Sequence, residues 1–145
     1  MKRAVFAVAM LSAACGAGIA ADNPIAARQA LMKENGKATG GVVKMLKGEA
    51  PFDLATVQAT LKVYANTAEK APALFPDNSK TGGDTEALPK VWETKADFEA
   101  KFAQFGKDAA AAMTAIKDEP SFKATMPGML KNCGDCHETY RVKKS

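Results

Sequence analysis

The chain has 145 residues, of which 47% are hydrophobic and 25% charged, and its formal net charge is +4. This length is enough for one domain with a hydrophobic core but hardly for two. The weak positive charge gives no support for nucleic acid as a partner. Few aromatic residues and few β-branched runs favour an all-α protein.

Residues 1–21 have the features of a secretory signal peptide. Two basic residues at positions 2–3 precede an apolar run, 5–14, that is too short to span a bilayer. Small residues then predict cleavage near Ala20-Ala21. We therefore expect a mature domain of residues 22–145 that is exported to the periplasm and has no membrane span.

An alternative for this segment is a lipoprotein with Cys15 as its lipidated N-terminus, because two alanines precede that cysteine. Leu11, however, lies one position too far upstream for a good lipobox.

The first helix is predicted from the N-cap Asn23 and Pro24 to about Lys47, with Gly48 as its stop. Three glycines inside it weaken the helix, so they indicate either a break near Gly40 or space for a flat ring; the helical period resumes afterwards, which favours the second interpretation. One face of this helix carries Ile25, Arg28, Met32, Gly36, Thr39 and Val43.

The middle of the chain predicts two more helices and a long connection. Asp53 is the expected N-cap of helix two, which carries an apolar stripe and ends near Ala71-Pro72. Residues 76–89 are rich in turn residues and predict a mobile surface connection. Helix three, about 89–117, has apolar residues at the 4-3-4 spacing of a bundle seam, namely Phe98, Phe102, Phe105, Ala109, Ala112 and Ile116.

Helix four is predicted from Glu119 towards the C-terminus, and Pro127 inside it predicts a kink or short break at Met126–Gly128. Four helices joined by mostly short turns predict an antiparallel, up-down-up-down four-helix bundle. A flat apolar cofactor would lie between the helices and take up part of the core.

The last helix carries Cys133-Gly134-Asp135-Cys136-His137, which is C-x-x-C-H, the attachment motif of a c-type haem. Two cysteines three residues apart share a helix face, so each thiol can add to one vinyl group of the same porphyrin. His137 follows directly and can bind the iron as the axial ligand on its proximal side. We therefore expect one haem c, attached through Cys133 and Cys136.

Other uses of these residues fit less well. A zinc site needs about four Cys or His ligands, but His137 is the only histidine in the chain. A thioredoxin-like dithiol needs a βαβ context that is not predicted here. A disulfide between Cys133 and Cys136 would leave His137 without a role.

A second axial ligand from this chain cannot be a histidine, so a methionine thioether is the natural candidate. The mature chain offers Met32, Met45, Met113, Met126 and Met129. Any of them can be an ordinary core residue. Met32 is favoured because it lies on the same face as Arg28 and Gly36, on a helix with small residues.

The chain resembles the class II cytochromes c, the cytochrome c-prime family, which carry the haem motif near the C-terminus. The resemblance covers the mature chain, and its carriers are the run from Cys133 to Arg141 (C-x-x-C-H-x-x-Y-R), the run from Arg28 to Met32, and the segments 48–53 and 89–92. In that family the residue four after the helix-one arginine faces the distal side of the iron. Met32 at that position implies the low-spin His137/Met32 subgroup, with Arg28 and Arg141 beside the haem.

We therefore expect a periplasmic one-electron carrier, not an enzyme, that serves redox partner proteins. The chain shows no catalytic acid–base pair, and its one histidine is committed to the iron. The alternative is a five-coordinate cytochrome c-prime that binds nitric oxide or carbon monoxide. A monomer is favoured, and a homodimer is the other option because high-spin family members often dimerise.

Overall fold

The computed structural model describes residues 23–143. The predictions for the signal peptide and Cys15 lie outside the described residues. Four long helices pack as the predicted antiparallel bundle, in which α2 contacts both α1 and α4, and α4 contacts α5. The helices are α1 Pro24–Leu46, α2 Leu54–Lys70, the short α3 Lys90–Glu93, α4 Lys95–Ala115 and α5 Glu119–Tyr140.

The helix ends follow from local chemistry that the sequence made visible. The Asn23 Oδ1 accepts a hydrogen bond from the Ala26 amide at 2.9 Å, and Asp53 caps α2 by accepting from the Thr56 amide at 3.0 Å. Gly48 ends the first helix with a φ of 73°, a left-handed conformation that glycine adopts at little cost.

Helix three differs from its prediction, because it is divided at Thr94 into α3 and α4. Thr94 has φ −125° and ψ 49°, and its hydroxyl donates to the Lys90 carbonyl at 3.0 Å. The same hydroxyl lies 3.0 Å from the phenol oxygen of Tyr140. Because these side-chain bonds compete with the helical ladder, the helix breaks where it meets the end of α5.

The short break predicted at Pro127 is absent from α5, which continues from Glu119 to Tyr140. Proline removes one helical hydrogen bond and leaves the carbonyl of the fourth residue before it, Lys123, without that partner. Both Pro127 and Lys123 are exposed, so water can solvate this carbonyl and the helix continues.

The predicted seam of α4 is confirmed, since all six of its residues are buried. They belong to two hydrophobic clusters. The larger one joins α1, α2, α4 and α5 around Leu61 and Tyr64, and the smaller one surrounds Phe75 and Phe98. On α1 the fully buried valine is Val42 and not the neighbouring Val43, so this end of the helix is rotated relative to the predicted face.

The connection between α2 and α3, residues 71–89, is more structured than expected. It contains the 3-10 turns Ala71–Leu74 and Asp77–Ser79, and it buries Leu74, Phe75 and Ser79. The prediction of a surface connection over 76–89 holds for the exposed residues of that segment, 77–78, 80–84 and 89.

Candidate haem site

One cavity of about 580 Å³ is lined by residues of all helices except α2, together with the connection 71–89. This volume is within the usual range for a small-molecule or cofactor site. Aromatic side chains from α4 line it together with polar and charged side chains, and most of its surface is apolar. The cavity therefore has the size and apolar character that a flat cofactor within the bundle needs.

Cys133, Cys136 and His137 all line this cavity from α5, and each is half-buried. The two thiols are not joined in a disulfide. Burial raises the pKa of both thiols, so they are protonated at neutral pH. The motif therefore presents two free thiols and one imidazole to the same cavity, which is the donor set that covalent haem attachment requires.

A zinc site receives no support from the structure. Within residues 23–143 no group of three or more histidine, cysteine or acidic side chains is arranged to hold a metal ion. Burial, followed by the nearby charge of Arg141, lowers the pKa of His137. A neutral imidazole is the form that binds a metal, so its environment favours ligation.

Met32 is the only one of the five methionines in the described part of the chain that lines the cavity. It is half-buried and packs against the smaller cluster, as does Cys136. The remaining four methionines belong to or pack against the larger cluster. Met126 and Met129, which lie on the same helix as the haem motif, are among these four.

Arg28 borders the cavity, but its terminal nitrogens are bonded to protein. Nη1 donates to the Leu74 carbonyl at 3.0 Å and to Ser79 Oγ at 2.8 Å. Nη2 donates to the Ser79 carbonyl at 3.0 Å and to Thr85 Oγ1 at 2.6 Å. The guanidinium also lies 4.6 Å from the ring centroid of Phe75. Arg28, which was predicted as a haem-site residue, is therefore hydrogen-bonded to the connection 71–89.

Arg141 lines the same cavity, four residues after His137. Its Nε donates to Glu86 Oε2 at 2.8 Å, and both side chains are more than one third exposed. An ion pair with this exposure contributes little to stability. Its importance is positional, because it brings the connection 71–89 next to the end of the haem-bearing helix.

The glycines of α1 serve different purposes. Helix α1 is continuous through all three, so the predicted alternative of a break near Gly40 is wrong. Only Gly36 lines the cavity. A Cβ on Gly41 would lie 3.7 Å from Thr56 Cγ2, which indicates close packing against α2, whereas a Cβ on Gly40 would meet no side chain or neighbouring element within 4 Å. The expected space for a flat ring therefore depends on Gly36 alone.

Sequence reasoning missed several residues that complete the cavity. Phe75, Thr85, Glu86 and Ala87 reach it from the connection 71–89, and Lys101 reaches it from α4. The connection carries no haem motif, and its turn-rich composition predicted exposure. The connection is held against the bundle by hydrogen bonds from Arg28, and these join residues 46 to 57 positions apart in the sequence. No local sequence pattern could therefore predict these contacts.

Known proteins match this chain over nearly its whole described length. The family model for cytochrome c′ matches residues 23–141. A cytochrome c′ of Rhodopseudomonas palustris is 52% identical over 130 residues, covering 90% of this chain and 89% of that protein. A cytochrome c-556 of Agrobacterium fabrum is 36% identical over 146 residues, covering 99% of each. The solved structure of a cytochrome c′ from Rhodopseudomonas palustris superposes with a TM-score of 0.83 and 53% identity, covering 85% of this chain and 98% of that one.

Proposed function

The chain belongs to the cytochrome c′ family, a group of class II cytochromes c, and we propose that it carries single electrons through a haem iron ligated by His137 and Met32. The family binds haem c covalently through cysteines, and this chain has Cys133 and Cys136 at its motif. When bound, the haem supplies an iron that cycles between its ferric and ferrous states.

The position of Met32 in the cavity is the observation that carries this proposal. His137 on α5 and Met32 on α1 line the same cavity, and no other methionine of the described residues does. A thioether ligand favours ferrous iron and raises the reduction potential. An iron that keeps both ligands in both oxidation states reorganises little when one electron moves. A gas could bind the iron only after displacing this thioether, which slows its association.

The cellular setting follows from the same proposal. We place the protein in the periplasm, with residues 1–21 as its signal peptide and 22–145 as its single domain. No helix among residues 23–143 is long and apolar enough to cross a membrane. Its partners would be redox proteins of the periplasmic electron-transfer chain, and we propose a monomer without enzymatic activity.

Met32→Ala tests the electron-carrier function. The wild-type ferric protein should be low-spin, with a weak band at the red end of its spectrum from sulfur–iron ligation. The variant should become high-spin, bind carbon monoxide faster and have a lower reduction potential, because no second histidine can replace the thioether. Met113→Ala is the matched control, since Met113 is a half-buried methionine that does not line the cavity.

A high-spin wild type that binds carbon monoxide as fast as Met32→Ala would contradict the proposal. In that case Met32 would be a core residue, and reversible binding of nitric oxide or carbon monoxide would become the better account of the function. Unchanged spectra in both variants would lead to the same conclusion.

A further inference from the structure

Residues 74–88, which we call the strap, lie between α2 and α3 in the chain and make hydrogen bonds to both helices that carry the proposed iron ligands, α1 and α5. Arg28 on α1 donates hydrogen bonds to three residues of the strap, Leu74, Ser79 and Thr85. Arg28 is four residues before Met32, which places the two side chains on the same helix face, one turn apart. Whatever holds Arg28 therefore also constrains the part of α1 that presents Met32.

The last residues of the strap, 86–88, are bound to the C-terminal end of α5 and the residues that follow it. The Leu88 amide donates to the Tyr140 carbonyl at 2.9 Å, and the Val142 amide donates to the Glu86 carbonyl at 2.9 Å. Ala87 and Arg141 form an antiparallel bridge between these two bonds. This pairing begins three residues after His137, so the strap is attached close to the proposed ligand on each helix.

Arg28 is buried, and each of its two terminal nitrogens donates two hydrogen bonds to protein. Its side chain is 4% exposed, and the four acceptors of its terminal nitrogens are two carbonyls and two hydroxyls, with no carboxylate among them. Phe75 and Trp92 supply aromatic faces at 4.6 and 5.9 Å. A buried charge is costly unless its hydrogen bonds are made. Moving the strap away would therefore deprive Arg28 of all four acceptors and of the Phe75 ring.

We propose that Arg28 is a positioning residue that fixes the strap across α1 and α5 and thereby keeps Met32 within bonding reach of the haem iron. This inference rests on the proposed ligation by Met32. It assigns to Arg28 a role that works through Ser79 and Thr85, and not through a direct contact with the haem. Lysine cannot replace arginine here, because a single ammonium group cannot reproduce the planar fork that reaches all four acceptors.

The test changes the two sides of this contact separately in the full-length holoprotein. Arg28→Lys keeps the charge and loses the fork. Ser79→Ala removes one acceptor from the strap, and Ser79 does not line the cavity, so this variant leaves the surface that faces the haem unchanged. Thr114→Val is the control, because Thr114 is exposed and its hydroxyl bonds only within its own helix, to the Ala110 carbonyl.

Two measurements are made on each variant. Amide hydrogen exchange at Leu88 and Val142 reports the attachment of the strap, independently of the iron. We expect exchange to be about tenfold faster in Arg28→Lys and Ser79→Ala than in wild type or Thr114→Val. The optical spectrum and the carbon monoxide association rate report Met32 ligation, and both variants should show more high-spin iron and faster association. Combining the two changes should add less than their separate effects.

The results that would overturn the proposal are separable from failure of the proposed function. If the wild type is low-spin and Arg28→Lys alters the spectrum while Ser79→Ala does not, Arg28 acts on the haem directly. Unchanged exchange at Leu88 and Val142 in both variants would show that Arg28 does not hold the strap. A high-spin wild type would refute Met32 ligation, and with it any action of Arg28 on that bond. Should Arg28→Lys fail to fold, Ser79→Ala decides by itself: faster exchange together with more high-spin iron supports the proposal, and unchanged exchange or an unchanged spectrum refutes it.

Discussion

Leu61 gives the clearest measure of how strongly core packing stabilises this bundle. Its side chain is fully buried on α2, within the larger cluster, where α2 packs against both α1 and α4. Leu61→Ala removes three carbon groups, and each buried methylene contributes about 0.8 kcal/mol. The space left behind adds a further cost because the surrounding helices relax only partly. We therefore expect the free energy of unfolding to fall by about 3–4 kcal/mol.

Urea denaturation of the holoprotein, followed by far-ultraviolet circular dichroism, measures this loss. With an m-value of about 1.5 kcal/mol/M, the midpoint should fall by roughly 2 M while the m-value itself stays constant. Lys62→Ala is the control, since Lys62 is the exposed neighbour on the same helix and should change stability by less than about 0.5 kcal/mol. A loss below about 1 kcal/mol for Leu61→Ala would refute the assignment of Leu61 to a well-packed core.

Two glycines and one tyrosine provide further tests. Gly40→Ala should raise the free energy of unfolding by about 0.5–1 kcal/mol, because the added Cβ in the middle of α1 would meet no side chain or neighbouring element within 4 Å. Gly106→Ala should lower it by roughly 1 kcal/mol or more, because the new Cβ would meet the Ala68 Cβ at 3.1 Å; equal effects at the two glycines would contradict this packing. Burial raises the pKa of Tyr64 from 10.0 to about 12. The phenol therefore ionises first in the unfolded chain, so the contribution of Tyr64 to stability should be constant below pH 10 and decrease between pH 10 and 12. Tyr64→Phe should remove most of this decrease in alkaline denaturation curves, and an unchanged decrease would mean that another group causes it.

Much of the bundle was predictable because its signals are local. The N-caps Asn23 and Asp53 and the stop at Gly48 act through bonds within a few residues, so the first two helices begin where the sequence predicts. The spacing of the α4 seam likewise placed Phe98 to Ile116 in the core. The cysteines and histidine of the haem motif adjoin one another on one helix, so they reach one cavity whatever the remaining contacts are.

Other features were decided by the tertiary structure, because they depend on residues distant in sequence. The break at Thr94 involves Tyr140, and the inward path of the connection 71–89 involves Arg28. Sequence pattern alone could not decide which of the five methionines is the second axial ligand, since each of them occurs at ordinary helical spacing. Packing separates them, because a helix can turn only one face to the cavity and the larger cluster takes up the other four.

The sequence by itself determined the helical class, the cofactor and where the haem is attached, because the propensities, caps and haem motif concerned act over a few residues. The shape of the cavity was decided only by the packing of α1, α4, α5 and the strap against one another. A buried cation such as Arg28 must find its acceptors wherever the fold brings them, and here they lie 46 to 57 residues away.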